Sequence, residues 1–456
     1  MIDRIGGDHK AYQYHGVQWC VDEERRGRGG GLIADEMGLG KTFTILGTML
    51  ENFQRRSLIV VPVALISQWR EQILRLTGHH ALVYHGAGLS KKYTQEHLLR
   101  APVIITSYGQ ISVSLRPDRQ HKTSPLHHIS WDRVVFDEAH HLRNSRTGRH
   151  HGANKLAATT RWLVTGTPVQ NRKRDFSALC NLVGVPPDQL REKQMLRRTK
   201  DGVGLSLPLL EEHAEHVEWK NEHELRLAEE LHARIPDNHI RPAFGGAVSE
   251  FLSPWIILSM TRAKQMCTLP ATFGMAVVQI VRDGDLDPTH PAIGGVIGTS
   301  KIQAVLEKLL ARAHNGAKKL VFCTYHREID FLAARLRHHG KSVSIKDGRK
   351  KVQQDPQPDI MLLQTQTCCE GLNLQDYSEV YFVTPHWNPF VEKQAIARCH
   401  RIGQTRQVEV FRFYMDSHAF ASTSNDPERR PFSFDQLVHQ RQSDKTAVAE
   451  MVLGHL

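Results

Sequence analysis

The feature that most limits how this chain can fold is a regular alternation of short β-branched runs with helix-like segments between residues 31 and 183. GGLIADE, LIVVP (Leu58 to Pro62), VIITS from Val103, RVVFDE from Arg133 and WLVTGT from Trp162 each close on a polar or glycine-bearing turn. Continuous apolar runs separated by helical stretches predict strands buried on both faces, and so a parallel sheet wrapped by helices. Ligands of such sheets gather at the turns after the carboxyl ends of the strands, which is where chemistry is expected.

Between about residues 184 and 298 the alternation stops. A charged helical stretch, NEHELRLAEELHARI, and a Gly/Pro-rich stretch from Pro270 to Gly298 replace it, the pattern of a helical insert or linker. Strand-like runs return as KLVFCT, SVSI, DIMLLQT, VYFVTP and VEVFRFY, with Ile329, Leu332, Ala333 and Leu336 on one face of an amphipathic helix. The expected plan is an α/β protein with two parallel-sheet lobes: residues 1–183, an insert over 184–298, a second lobe over 299–415, and a tail over 416–456 with a helix from Phe434. Two or three cores fit into 456 residues, so the fold needs neither disulfides nor structural metal.

Composition trims the function classes. Lys and Arg number 59 against 48 Asp and Glu, a net charge of +11 that suits a polyanionic partner. Seven cysteines without a C-x-x-C pair argue against a secreted disulfide framework and against a zinc ribbon. Many of the 28 histidines fall in adjacent pairs, such as His79 with His80 and His338 with His339, and read as exposed composition. No stretch approaches the roughly 18 apolar residues of a membrane span, and MIDRIGGDHK lacks a signal peptide's apolar core, so neither membrane insertion nor secretion is expected.

DEMGLGKT, Asp35 to Thr42, follows the strand GGLIA and precedes a helical pattern with Phe43, Leu46, Met49, Leu50 and Phe53 on one side. Gly38 and Gly40 allow backbone N–H groups to curl around phosphate, Lys41 brings a cation to the β and γ phosphates, and the Thr42 hydroxyl suits Mg²⁺. The helix N-terminus adds positive potential. A strict phosphate loop has glycine where this chain has Asp35. About a hundred residues on, DEAH (Asp137 to His140) follows the strand RVVF. There Asp137 is expected to hold Mg²⁺ through water, with Glu138 orienting or deprotonating the water that attacks the γ phosphate of ATP.

With these motifs in order, the chain resembles the ATPase motor of the SWI/SNF family of helicase-related, double-stranded-DNA-translocating enzymes, over most of its length. AYQYHGVQW is similar to the family's opening segment, DEMGLGKT is its version of the phosphate loop including the acid, and LIVVPVALISQW, TSY, WDRVVFDEAHHLRN, LVTGTPVQN and LRRTK follow in family order. LVFCTYHREIDFL, EGLNLQ, HWNPFVEKQ and AIARCHRIGQTRQV resemble the second-lobe motifs. The resemblance implies two RecA-like lobes with a helical insert and a C-terminal bracing helix. It implies Gln13 on the adenine edge and Glu36, Met37 and Leu39 within the nucleotide loop. Arg398 and Arg401, three apart and read as one helical face, would stabilise the transition state, Arg401 foremost, with Gln394 and Gln404 coupling nucleotide to lobe closure. Thr106, Ser107, Thr165 and Thr167 would hold DNA phosphates without reading bases.

The implied partners are double-stranded DNA and nucleosomes or other DNA-bound proteins. The implied setting is the nucleus in a eukaryote, otherwise cytoplasm or a viral replication site. A strand-separating helicase and a nucleotide-binding scaffold are the competing readings. Three departures stand out. Only RKKVQQDPQPD separates Gly348 from Ile360, Thr367, Cys368 and Cys369 replace the family's Ala-Gly-Gly, and Leu269 replaces the histidine before Pro270. Trp387 is expected to pack rather than bind, and His213, His216 and His223 lack the spacing of a metal site.

Overall fold

The computed structural model describes residues 11–89, 93–115, 124–170, 172–233, 235, 254–269, 299–349, 358–365, 374–416 and 433–453. The chain divides into two compact units, Met1–Leu207 with Lys445–Leu456, and Pro208–Asp444.

In the first unit, strands β1 (Gly30–Ile33), β2 (Ser57–Val61), β3 (Leu82–Tyr84), β4 (Val103–Ser107), β5 (Trp131–Asp137), β6 (Ala158–Val164) and β7 (Met195–Leu196) form one sheet in the order β3-β4-β2-β5-β6-β1-β7. Every pairing is parallel, with Ile33 opposite Val164 and Val164 opposite Asp137. Since β6 lies between β1 and β5, the turn after β6 falls between the turns that carry DEMGLGKT and DEAH. The five anticipated strands are present; β3 and β7 are too short to show as apolar runs.

Helices α1 (Ala11–Arg25), α2 (Lys41–Glu51) and α3 (Ile66–Thr77) belong to this unit. Ile45 and Leu46 of α2, with Trp69 and Ile73 of α3, close one face of the sheet over Ile33, Ile59, Val135 and Trp162. The apolar side of α2 is shifted from the expected one: Thr44 to Thr48 are buried, Met49 and Leu50 only partly so, and Phe53 lies beyond the helix end, 68% exposed. The reason is α1. A Cβ on Gly47 would stand 2.6 Å from Val17 Cγ2, so α2 buries its small-residue side against a neighbouring helix.

In the second unit, β8 (Leu210–Val217), β9 (Lys318–Cys323), β10 (Val343–Lys346), β11 (Ile360–Gln364), β12 (Tyr377–Phe382) and β13 (Val408–Met415) form a parallel sheet in the order β10-β11-β9-β12-β13-β8. Ile329, Leu332, Ala333 and Leu336 are buried against it, as their spacing requires. The span 184–298 is not wholly a helical insert. The helix Pro187–Lys193 and β7 belong with the first unit, and LEEHAEHV is the edge strand β8, paired with β13 along its whole length. As an edge strand it exposes Glu211, Glu212, Ala214 and His216, so it carries no apolar run to be recognised. The helices Glu222–Ala233 and Pro254–Met266 are helical as expected.

Val343 pairs with Ile360 in parallel register, so the short connection between these strands does complete a crossover. Cys368 and Cys369 lie outside the described residues. In the final helix, Phe434–Leu453, residues through Asp444 group with the second unit. Its first turn is fastened by Asp435, whose Oδ2 accepts from Lys301 Nζ at 2.6 Å and from Met415 N at 2.9 Å. Trp387 lies beside Phe434 with ring centroids 6.5 Å apart but stays 39% exposed, so it is only partly packed. Among the described residues no helix is long and apolar enough to cross a membrane.

Candidate active site

The loop between β1 and α2 has the backbone of a phosphate cradle. Gly38 and Gly40 take φ values of 95° and 83°, a left-handed conformation that strains other residues. A Cβ on Gly40 would also meet Gln13 Nε2 at 2.5 Å. Gln13 itself is buried on α1 and donates to Leu39 O at 3.3 Å, which sets it against the loop. Lys41 Nζ donates to Asp35 O at 2.8 Å and to Glu36 O at 3.3 Å, so its ammonium lies across the loop. Thr42 occupies the first turn of α2. Gly166, in the turn after β6, closes the other side: a Cβ there would stand 2.9 Å from Met37 Cγ and 3.2 Å from Lys41 Nζ.

Arg198 holds this loop, and the motif reading had assigned it no role. Asp35 is fully buried; Arg198 Nε donates to its Oδ1 at 3.0 Å and Nη2 donates to its Oδ2. Arg198 Nη1 donates to Tyr12 O, and the guanidinium lies 5.4 Å from the Tyr12 ring centroid. A backbone bond from Glu36 N to Arg198 O at 2.9 Å, and one from Lys200 N to the Glu36 carboxylate Oε2 at 2.8 Å, continue the seam. Asp35 is therefore an anchor rather than a phosphate ligand. Its replacement of a loop glycine, with the paired arginines of LRRTK downstream, was the available signal. Gly16 belongs to the same arrangement, since a Cβ there would stand 2.8 Å from Arg198 Nη2.

Asp137 ends β5. Its Oδ2 accepts from Trp69 Nε1 of α3 at 2.7 Å and its Oδ1 from Glu138 N at 3.0 Å. Burial, then the adjacent Glu138 charge, push the Asp137 carboxyl up to about 7. A carboxylate whose charge is resisted by burial and a like neighbour is one that a divalent cation would relieve, so the residues fit Mg²⁺. Glu138 has φ 51° and ψ 49°, the one positive φ at a non-glycine among the described residues. Strain of this kind costs on the order of 1–2 kcal/mol and here turns the second carboxylate away from the strand. Glu138 Oε2 lies 3.2 Å from His140 Nδ1, which lies 3.4 Å from Thr165 Oγ1. Thr167 N donates to Thr165 Oγ1 at 3.1 Å and Gln170 Nε2 to Thr167 Oγ1 at 3.1 Å. A polar chain thus joins the DEAH turn to the turn after β6.

That chain corrects the expected DNA-contacting hydroxyls. Thr106, Ser107, Thr165 and Thr167 are all buried. Thr106 Oγ1 donates to Tyr84 O at 2.8 Å, and Ser107 Oγ sits 3.0 Å from His85 Nδ1. These hydroxyls are engaged inside the unit and shape the turns instead of facing outward.

In the second unit the helix Pro389–Ile396 ends before Arg398, so Arg398 and Arg401 are not on one helical face. His400 N bonds to Ile396 O at 2.8 Å, Gln404 N to Arg401 O at 3.0 Å, and Gly403 has φ 97°, which winds the segment into successive tight turns. Burial, then Arg398, lower the Arg401 pKa, and its Nε has no partner among the described residues. Gln394 is buried, with Nε2 similarly unmatched. Gln404 has a different task from the one expected. Its Nε2 donates to Gln375 O, Tyr377 O and Cys399 O at 2.9, 3.0 and 3.2 Å, while Oε1 accepts from Thr405 N and Arg406 N. With its amide fully used on backbone, Gln404 secures the arginine-bearing turns.

His213 and His216 lie on β8 but diverge: His213 Nε2 is 3.4 Å from Glu409 Oε1, and His216 Nδ1 is 3.2 Å from Asp416 Oδ1.

A phosphate loop after β1 and an Asp–Glu pair after β5, separated by one strand, define the catalytic half of a P-loop ATP hydrolase. Residues 12–193 match the SNF2-related domain, and residues 300–403 match the helicase conserved C-terminal domain. The chain belongs to the SNF2 family of helicase-related, DNA-dependent ATPases. It is 27% identical over 452 residues to the probable global transactivator of Orgyia pseudotsugata multicapsid polyhedrosis virus, covering 89% of this chain and 86% of that protein. It is 26% identical over 475 residues to the ATP-dependent DNA helicase DDM1 of Arabidopsis thaliana, of which it spans 59%. The Sulfolobus solfataricus SWI2/SNF2 ATPase core, solved in complex with dsDNA, is similar at 21% identity and a TM-score of 0.40, covering 90% of this chain and 88% of that one.

Proposed function

We propose that this protein hydrolyses ATP with Mg²⁺ to translocate on double-stranded DNA, displacing or repositioning DNA-bound proteins such as nucleosomes in chromatin remodelling, transcription or repair. The observation that carries the reading is the arrangement at the strand ends of the first unit. Lys41, Asp137 and Glu138 stand on turns either side of β6, and the turn after β6 is joined to Glu138 through His140 and Thr165. Thr42 and Asp137 would hold Mg²⁺, which screens phosphate charge when bound. Lys41 binds the β and γ phosphates, Gln13 meets the adenine, and Glu138 orients the attacking water and takes its proton. Arg401, assisted by Arg398, neutralises charge as the terminal phosphate departs. Arg401 Nε and Gln394 Nε2 are buried donors with no partner among the described residues.

The test is ATP turnover with duplex, single strand and nucleosomes side by side across a salt series. Duplex stimulation that weakens with salt and is lost in Lys41→Ala and Glu138→Gln is expected. Equal low rates in the parent and Glu138→Gln would favour a scaffold. Triplex displacement without fluorescent strand separation is expected of a translocase; unwinding would make it a helicase.

A further inference from the structure

In TSY, Thr106 and Ser107 meet Tyr84 and His85 at the end of β3, whereas Tyr108 reaches the other way, past β2, to the DEAH turn. Tyr108 opens the short helix Tyr108–Ile111 and is 4% exposed. Its Oη donates to Asp137 O at 2.7 Å, one residue beyond Phe136, where the pairing of β5 with β2 ends. A buried tyrosine hydroxyl usually finds an acceptor; here the acceptor is the carbonyl of the peptide that joins Asp137 to Glu138. That planar unit is held at both ends, its carbonyl by Tyr108 and its N–H by Asp137 Oδ1 at 3.0 Å. Its orientation sets the φ of Glu138, which at 51° lies in the left-handed region. A non-glycine residue stays there only where its surroundings over-determine it. The ring is placed as well: it lies 5.2 Å from the His141 ring, which stacks on His140 at 4.6 Å, and His140 Nδ1 lies 3.2 Å from Glu138 Oε2. Tyr108 thus meets the Asp–Glu turn through the backbone on one side and through two histidines on the other.

We propose that Tyr108 is a positioning residue for ATP hydrolysis, whose hydroxyl keeps the Asp137–Glu138 peptide in the orientation that presents the Glu138 carboxylate to the attacking water. The proposal rests on the reading of Glu138 as the group that orients that water and takes its proton. Without the hydroxyl, the carbonyl loses this donor, and rotation of the peptide returns Glu138 toward negative φ, which relieves strain and swings its side chain out of line. The Asp137 carboxylate stays held by Trp69 Nε1. Gly38, Gly40 and Lys41 follow β1, two strands away from β5, so nucleotide binding survives the change while the chemical step slows.

The test compares Tyr108→Phe with the parent full chain in single-turnover hydrolysis of radiolabelled ATP, with Mg²⁺ and duplex DNA present, and in the binding of a fluorescent ATP analogue. Phenylalanine keeps the ring beside His141. The rate constant at saturating ATP is expected to fall about tenfold, with analogue affinity within about twofold and melting temperature within about 4 °C of the parent. A rate within about twofold of the parent overturns the proposal. So does a loss of nucleotide affinity as large as the loss of rate, which would mark a general loosening of the unit. A second arm sets Tyr108→Phe in Glu138→Gln and follows the slow turnover for hours. Equal rates with and without the hydroxyl are expected there, because it acts through Glu138; a further loss of about tenfold overturns that route. Glu138→Gln turning over as fast as the parent overturns the reading of Glu138 instead, whatever Tyr108→Phe does.

Discussion

Replacing Arg198 by glutamine isolates what holds the phosphate loop in shape. The side chain is 16% exposed and its partner Asp35 is fully buried, so the substitution leaves a carboxylate without a counter-charge in the interior. Breaking a buried pair on one side costs roughly 3–5 kcal/mol; partial solvent access to the arginine places this case near the lower end, about 3 kcal/mol. The loss has three parts: the two bonds to Asp35, the bond to Tyr12 O, and the cation over the Tyr12 ring. It is expected to appear as lower urea stability with faster amide exchange in β1 and α2, together with at least tenfold weaker binding of a fluorescent ATP analogue. Asp35→Asn combined with Arg198→Gln removes the stranded charge, so the double variant should recover about 2 kcal/mol relative to the sum of the single changes. A loss below about 1 kcal/mol in Arg198→Gln, with nucleotide affinity within twofold of the parent, would refute the anchoring role.

Trp69→Phe removes the 2.7 Å bond to Asp137 while keeping an aromatic ring; single-turnover hydrolysis is expected to slow about tenfold with a stability loss of about 1–2 kcal/mol. Gly47→Ala should cost about 1–3 kcal/mol through overpacking against Val17, and Val17→Ala in the same chain should restore most of the melting temperature. His232 is buried neutral, its Nε2 accepting from Phe434 N at 2.9 Å, and burial lowers its pKa to about 4. Its folded pKa lies below the unfolded value of about 6.5, so stability is full above that pH and falls as the pH drops toward 4. About 2 kcal/mol is lost by pH 5, which should be absent in His232→Leu. Glu328, raised to about 7 by burial, titrates in the opposite sense, so the comparison is the difference between variant and parent urea midpoints.

The chemistry-bearing residues were legible because their local rules are strict. Gly38 and Gly40 need a conformation that few residues adopt, Lys41 and Thr42 must open a helix, and Asp137 must end a buried strand. What escaped were roles set by partners distant in the chain. Arg198 meets Asp35 across 163 positions and Trp69 meets Asp137 across 68, and neither spacing has a sequence period. The hydroxyls of Thr106, Ser107, Thr165 and Thr167 were misplaced for the same reason: a threonine at a strand end reads alike whether it faces solvent or a neighbouring carbonyl. β8 was missed because an edge strand is held by backbone bonds on one side and needs no apolar run.

The sequence by itself determined that the chain makes two parallel sheets, that the residues proposed for phosphate and metal chemistry sit at two strand ends of the first, and that the family is that of the SNF2 motors. These follow from periodicity and from backbone limits that act within a few residues. Tertiary structure alone decided that Asp35 is an anchor, that Gln404 braces turns, and that the two arginines stand beyond a helix end. Burial and hydrogen-bond satisfaction belong to the packed whole, because the atoms that exclude water from a group or complete its bonds come from segments far away in the chain.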